Sequence, residues 1–244
     1  MALAKVILVA SGKGGVGKST VSALLGEALA AAGHPTLLAE LDSGLRSLDV
    51  ALGVSESVLF DMGDIARGAD PANAVMSCPF CKNLAVICAA AAPAAIGEET
   101  ISSVTEALDG DYEFILLDCP AGLGETLSAA AKCAGGAIVV TTPDPAAVRA
   151  AANTGRLLEK EGLRARRLLI ERCPLHPKKL LPFQNLDEVI NGAEMRLLGV
   201  VWEDSATRAA VDSGTALSEG SPNKKMFCDI TERLLGKRVP IGFK

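Results

Sequence analysis

The segment that most constrains this chain is KVILVASGKGGVGKST, residues 5–20. The apolar run VILVA is too short for a helix and rich in Val and Ile, so it reads as a buried strand. It passes straight into Gly12, Gly17, Lys18 and Ser19, which satisfy the phosphate-loop spacing G-x-x-x-x-G-K-[ST]. From Lys18 a helical pattern runs to residue 32, ahead of Gly33, a residue suited to ending a helix in the left-handed conformation. Strand, loop and helix therefore follow in the order the motif requires.

Each position then has a physical role. Glycines let backbone N–H groups close around a β-phosphate, and the helix start presents the positive end of its dipole. Lys18 is placed to reach the β- and γ-phosphates, Ser19 to put its hydroxyl on Mg²⁺, and Thr20 to donate to the α-phosphate. The nucleotide-binding set is Gly12, Lys13, Gly14, Gly15, Val16, Gly17, Lys18, Ser19 and Thr20. Lys13 is a surplus charge, because Lys18 already occupies the site it would fold back onto. From a facing subunit it would instead stabilise charge on a transferring phosphoryl group, as an arginine finger does.

Beyond the loop, short apolar runs alternate with helical stretches. Strands are expected at 5–10, 36–41, 83–89, 114–118, 137–142, 167–171 and 197–202. Helices are expected at 18–32, 98–108, 125–134, 145–161, 185–194, 206–213 and 222–235. The alanine-rich stretch 88–99 reads as a loop feeding a helix, and 236–244 as a short exposed tail. No repeat or linker divides the chain, so residues 1–244 are expected to form a single domain. Apolar residues make up 49% but aromatics only 3%, so the core must be built from Ala, Val, Leu and Ile. That palette suits an α/β fold, a mostly parallel sheet of seven or eight strands with helices on both faces.

Two further carboxylates sit at expected strand ends. FILLD places Asp118 after four apolar residues, the arrangement that holds Mg²⁺ through water. Asp42 follows the second strand, where a carboxylate beside the phosphate loop is well placed to orient or activate water. A net charge of -5 argues against nucleic acid held by charge alone. With no long apolar run and no signal-peptide pattern, the chain reads as cytoplasmic. Seven scattered cysteines do not form a secreted disulfide framework.

The string KGGVGKST resembles the deviant Walker A box K-G-G-x-G-K-[ST] of the MinD/ParA class of P-loop ATPases, which also includes the Mrp-type iron–sulfur carriers and the nitrogenase iron protein. The likeness extends over residues 3–236: LDSGLRSLD is similar to switch I, DCPAG to switch II, and TTPDPAAVR, with Pro143, Val148 and Arg149, to the segment after the fifth strand. It is closest to the MinD-like septum-site-determining ATPases, within the SIMIBI group. The resemblance implies ATP and Mg²⁺ as ligands and an ATP-dependent homodimer in which Lys13 reaches the partner subunit's phosphates. It further implies Asp42 as the water-activating residue, Arg46 and Asp49 in the switch and its dimer contacts, and Pro120, Ala121 and Gly122 as γ-phosphate sensors. The implied activity is ATP hydrolysis that releases a regulatory protein partner. A carrier of the Mrp type and a DNA-partition ATPase of the ParA type are the alternatives.

Four departures qualify the resemblance. Glu40 stands where an Asp is usual, a longer carboxylate that would still meet the metal through water. Glu171 and Arg172 replace an Asn–Arg pair that recognises adenine, which leaves base recognition to another mode or to main-chain groups near 202–204. The closing segment GKRVPIGFK carries Pro240 and Gly242 and is too short for an apolar helical face, which argues against direct membrane binding. Cys78 and Cys81 form CPFC, open to three readings: a zinc or iron–sulfur site shared between facing subunits, a redox pair, or ordinary thiols.

Overall fold

In the computed structural model, which describes residues 3–174 and 182–241, the first strand β1 is Lys5–Ala10 and the phosphate loop leads from it into α1, Lys18–Ala31. There follow β2 (Thr36–Glu40), α2 (Leu48–Ala51), α3 (Met62–Ala66), β3 (Met76–Ser77), β4 (Leu84–Ile87), α4 (Glu98–Ala107), β5 (Phe114–Asp118) and α5 (Glu125–Cys133). The second half runs β6 (Gly136–Thr141), α6 (Pro145–Lys160), β7 (Arg166–Cys173), α7 (Leu186–Ala193), β8 (Leu197–Trp202), α8 (Ser205–Asp212) and α9 (Pro222–Leu234). The strands form one sheet in the order β3-β4-β2-β5-β1-β6-β7-β8. Every pairing is parallel except that of β3, which runs antiparallel on the β4 edge.

The strands read as unbroken apolar runs because both faces of the sheet are covered. Alternate residues feed two separate cores. Leu8, Ala10, Ile115 and Leu117 pack on one side with α4, α5, α6 and α7, while Val9, Phe114 and Leu116 pack on the other with α1 and α9. α1 lies close on its face because residue 26 is glycine; a Cβ there would meet Leu38 Cδ2 at 2.8 Å. The central position of β1 sends the phosphate loop out between the carboxyl ends of β5 and β6, where ligands bind in open parallel sheets.

The seven expected strands all form, and each expected helix falls within a residue or so of its place. The departures lie between β2 and β4, where α2, α3 and the two-residue β3 were not anticipated. Of the expected tail, residues 242–244 lie outside the described residues.

Candidate functional site

The phosphate loop owes its shape to glycines in two places. Gly17, at the N-terminus of α1, has φ 91° and no side chain caps this helix end, so its first N–H groups are left for an anion. A Cβ on Gly12 would run into the Ala150 carbonyl of α6, so the loop can rest directly on that helix.

Behind the loop the charges are already assembled. Asp118 is fully buried at the end of β5, in register with Val9 of β1 and Glu40 of β2. Lys18 Nζ lies 3.1 Å from its Oδ1, Ser22 Oγ donates to the same oxygen at 2.9 Å, and Ser19 Oγ donates to Oδ2 at 2.7 Å. A hydroxyl and a carboxylate side by side are hard oxygen donors of the kind Mg²⁺ takes, so the residues fit the implied cation. The buried hydroxyls of Ser11 and Ser43 have no hydrogen-bond partner among the described residues, leaving polar capacity at both edges of the site.

Asp42 sits at the start of the segment that follows β2, which Leu41 ties to β5 by donating its N–H to Asp118 at 2.9 Å. Burial raises its pKa; Lys18 opposes that shift and Asp118 adds to it. The carboxylate is thereby made more basic, which suits a group that accepts a proton. Glu40 does not take the metal-facing position expected of it. It is fully buried, and its Oε1 accepts from Ser47 N (2.7 Å), Ser47 Oγ (2.6 Å) and Leu48 N (3.2 Å) while Oε2 accepts from Ala89 N. Four donors engage the carboxylate, three of them on Oε1, and its work is to pin residues 47–48 to the ends of β2 and β4.

Arg46 reinforces that anchorage. Its Nε donates to Ala89 O at 2.9 Å and its other arm pairs with Asp61, which also caps α3. Burial acts to raise the pKa of Asp61, but hydrogen bonds from Ala91, Arg46, Asp64 and Gly63 carry it below the usual carboxylate range. Asp49 is buried in α2 and accepts from Val50 N. After β5, Gly122 adopts φ 99° and donates its N–H to Ser11 O at 2.9 Å, so this loop rests on the start of the phosphate loop.

Lys13 lies on the rim. Its Nζ reaches Asp144 Oδ1 at 2.9 Å, and both side chains are 47% exposed. Asp144 also caps α6 by accepting from Ala147 N, with Pro143 before it and Val148 buried one turn in. Sequence spacing gave no hint of this pair, which joins residues 131 apart.

On the far side of Gly17 opens a cavity of about 520 Å³, bounded by Gly15, Gly17 and Thr20 and by residues at the ends of β7 and β8. That volume is ordinary for a small-molecule site, and a nucleotide with its phosphates in the loop would lay its base there. The wall contains an irregularity: the β7–β8 register shifts between Ile170 and Cys173, and Arg172 takes φ 52°. A bulge of this kind re-aims side chains beside functional sites. It leaves Glu171 6% exposed against Gly17, while Arg172 donates Nε–H to Glu171 Oε2 at 2.9 Å and reaches Gly15 O with its other arm. Burial pushes Glu171 up to about 7, against the pull of Arg172. A clue was present in LLIERC, since a strand that passes from apolar to Glu–Arg and back brings a charge where burial is expected.

Cys78 and Cys81 are turned inward, 6% and 9% exposed, among the apolar residues of the α1 face. Their sulfurs contact Leu52 O and Glu27 O, and burial raises both thiols, Cys81 to about 11. Among the described residues no group of three or more His, Cys, Asp or Glu is placed to hold a metal. The inward, apolar setting denies the pair the surface position that a cluster shared between subunits requires.

Three comparisons place this geometry. Residues 2–235 match a family model described as ParA: NUBPL iron-transfer P-loop NTPase. The septum site-determining protein MinD of Bacillus subtilis is 33% identical over 246 residues, covering 98% of this chain and 92% of that protein. Among solved structures, the MinC:MinD cell division protein complex of Aquifex aeolicus superposes with a TM-score of 0.88 at 27% identity, covering 98% of each chain. The MinD protein of Pyrococcus horikoshii, complexed with Mg-ADP, does so at 0.81 and 26% identity, over 95% of this chain and 96% of that one.

Proposed function

The chain belongs to the ParA family of P-loop NTPases, and on that premise we propose that it is a MinD-like ATPase switch. ATP binding joins two subunits face to face, the dimer recruits a protein partner, and hydrolysis releases it. The observation that carries this reading is Lys13: a second cation on the loop's rim, half exposed and held among the described residues by the surface carboxylate Asp144, while Lys18 serves the buried end. An exposed ion pair of this kind is weak and screened by salt, so a partner subunit's phosphates compete for Lys13 at little cost.

The loop amides and the start of α1 bind the phosphates, and Lys18 leaves Asp118 for the β- and γ-oxygens. Ser19 directly, and Asp118 through water, would hold Mg²⁺, which neutralises charge developing on those oxygens. Asp42 orients a water whose oxygen bonds to the γ-phosphorus as the bond to the β–γ bridging oxygen breaks. The products are ADP and inorganic phosphate, the water proton passing to Asp42 or to the departing phosphate. Leu45 (69% exposed) in switch I and Leu123 (51%) in switch II offer apolar contacts on the segments that sense this change. The MinC bound in the Aquifex structure supports a protein as the partner.

Light scattering on the eluting protein tests the switch, with ADP and then with ATP and Mg²⁺. Asp42→Ala should accumulate dimer with ATP alone, and Lys13→Ala should stay monomeric while still binding nucleotide. A Lys13→Ala protein that dimerises and turns over normally would sink the reading.

A further inference from the structure

The CPFC segment lies at a turn that brings its two thiols together. β3 and β4 pair in the register Met76↔Val86 and Ser77↔Ala85, and Cys78 N donates to Leu84 O at 2.9 Å, so residues 79–83 form the tip of a hairpin. Asn83 turns the chain back at φ 65°. Pro79, Lys82 and Asn83 are exposed, and the two sulfurs lie just beneath them. Cys78 Sγ donates to the carbonyl of Leu52, the C-cap of α2, at 3.9 Å. Cys81 Sγ donates to Lys82 O at 3.7 Å and to Glu27 O of α1 at 3.9 Å. A Cβ on Gly53 would come within 3.8 Å of Pro79 Cγ, so the tip rests against the chain that leaves α2. Burial raises both thiols; the amides of Phe80 and Cys81 oppose the rise at Cys78, and the neighbouring Cys78 adds to it at Cys81.

We propose that Cys78 and Cys81 form a reversible thiol–disulfide site, oxidised by low-molecular-weight disulfides such as glutathione disulfide, and that closing the bond loosens the end of α2. The inference stands apart from the nucleotide reading. Burial disfavours a thiolate but not a neutral disulfide, so the reduced pair draws no stability from charge. That is the reverse of strongly oxidising pairs, whose reduced form is stabilised. Access comes through the tip: β3 is two residues long at the edge of the sheet, so the hairpin opens without the rest of the chain. In the opened tip Cys78, which the turn amides favour as thiolate, gives its proton to solvent. Its sulfur attacks one sulfur of the reagent, forming a mixed disulfide and expelling one glutathione thiolate. Cys81 then gives up its proton and attacks Cys78 Sγ, expelling the second. Two protein thiols have lost two electrons and two protons, and one disulfide has become two thiols. Leu52 O and Glu27 O each lose a donor, which removes one tie between the hairpin and the end of α2.

The test incubates the nucleotide-free full chain with glutathione disulfide at about pH 8, traps free thiols with N-ethylmaleimide and maps the peptides by mass. A Cys78–Cys81 bond should form at least about tenfold faster than Cys88, Cys119 and Cys173 lose their thiols, since those three are fully buried and react only on wider unfolding. Dithiothreitol should reverse it. Amide hydrogen exchange at residues 48–54 should be at least about threefold faster in the oxidised protein. Cys81→Ser should stop at a mixed disulfide on Cys78; the mapping uses unaltered protein, so it stands even if this variant misfolds. If the pair oxidises no faster than the three buried thiols, or carries only mixed disulfides, the site is overturned. If the bond forms and exchange at 48–54 is unchanged, the disulfide stands and its coupling to α2 is overturned.

Discussion

Asp118 and Glu171 flank the phosphate loop on different sides, both more than nine-tenths buried, and the fold keeps them there by contrasting means. Asp118 is matched: Lys18 and two serine hydroxyls engage both its oxygens. Glu171 has one half-exposed arginine, and burial outweighs that pull, so its charge is carried only in part near neutral pH. Fixed partners offset part of the cost of burying a carboxylate; where they are too few, it becomes a titrating group. The Asp118 side of the loop is consequently a preformed charge network, and the Glu171 side one whose hydrogen-bonding character follows its protonation.

Removing the matched partner should break this contrast most severely. Lys18→Ala strands Asp118 without its buried cation, and losing one partner of such a pair typically costs about 3–5 kcal/mol. Urea titration of the nucleotide-free protein at pH 7 reads that loss, and calorimetry should show ADP affinity reduced at least about a hundredfold. A protein that keeps its stability would mean the two serines suffice for Asp118.

The unmatched carboxyl gives a smaller effect with a definite sign. Glu171 has its folded pKa raised from 4.5 to about 7, so the folded state binds more protons than the unfolded one between those values. Its contribution therefore opposes folding progressively as pH rises from about 4.5 to about 7 and is constant above, about 3 kcal/mol in all. Glu171→Gln removes that term. The stability difference in favour of the variant should widen across this window in paired melts, and a flat difference would show the carboxyl to be solvated.

How far the two sides could be read from sequence differs for the same physical reason. The Asp118 side is encoded locally: Gly12 to Ser19 sit in one short loop, and Asp118 is marked by four apolar residues before it. The strands were equally legible, since burial on both faces writes them as apolar runs bounded by breakers. What could not be read depends on register and long-range packing. LLIERC reveals its charges but not that a bulge aims Glu171 at Gly17. The region between β2 and β4 hid α2 and α3 because each spans barely a turn, too short for a helical period to show. Glu40 looked like a metal approach by sequence position, and only the structure reveals four donors already on it.

The Lys13–Asp144 pair sits between these extremes and should give the smallest effect. It is an exposed contact whose partners are held by separate elements, the loop and the cap of α6. Asp144→Asn keeps an oxygen to accept from Ala147 N but gives up the charge that retains Lys13 within its own subunit. Melting should hardly move, while ATP-dependent dimerisation should strengthen about two- to threefold at low ionic strength, because less of Lys13 is sequestered. Added salt screens the retained pair in the wild type as well, so the gain should shrink as KCl is raised towards about 0.5 M. An advantage that persists at high salt would show that Asp144 restrains the dimer by shape or by a contact of α6, and not by holding the lysine.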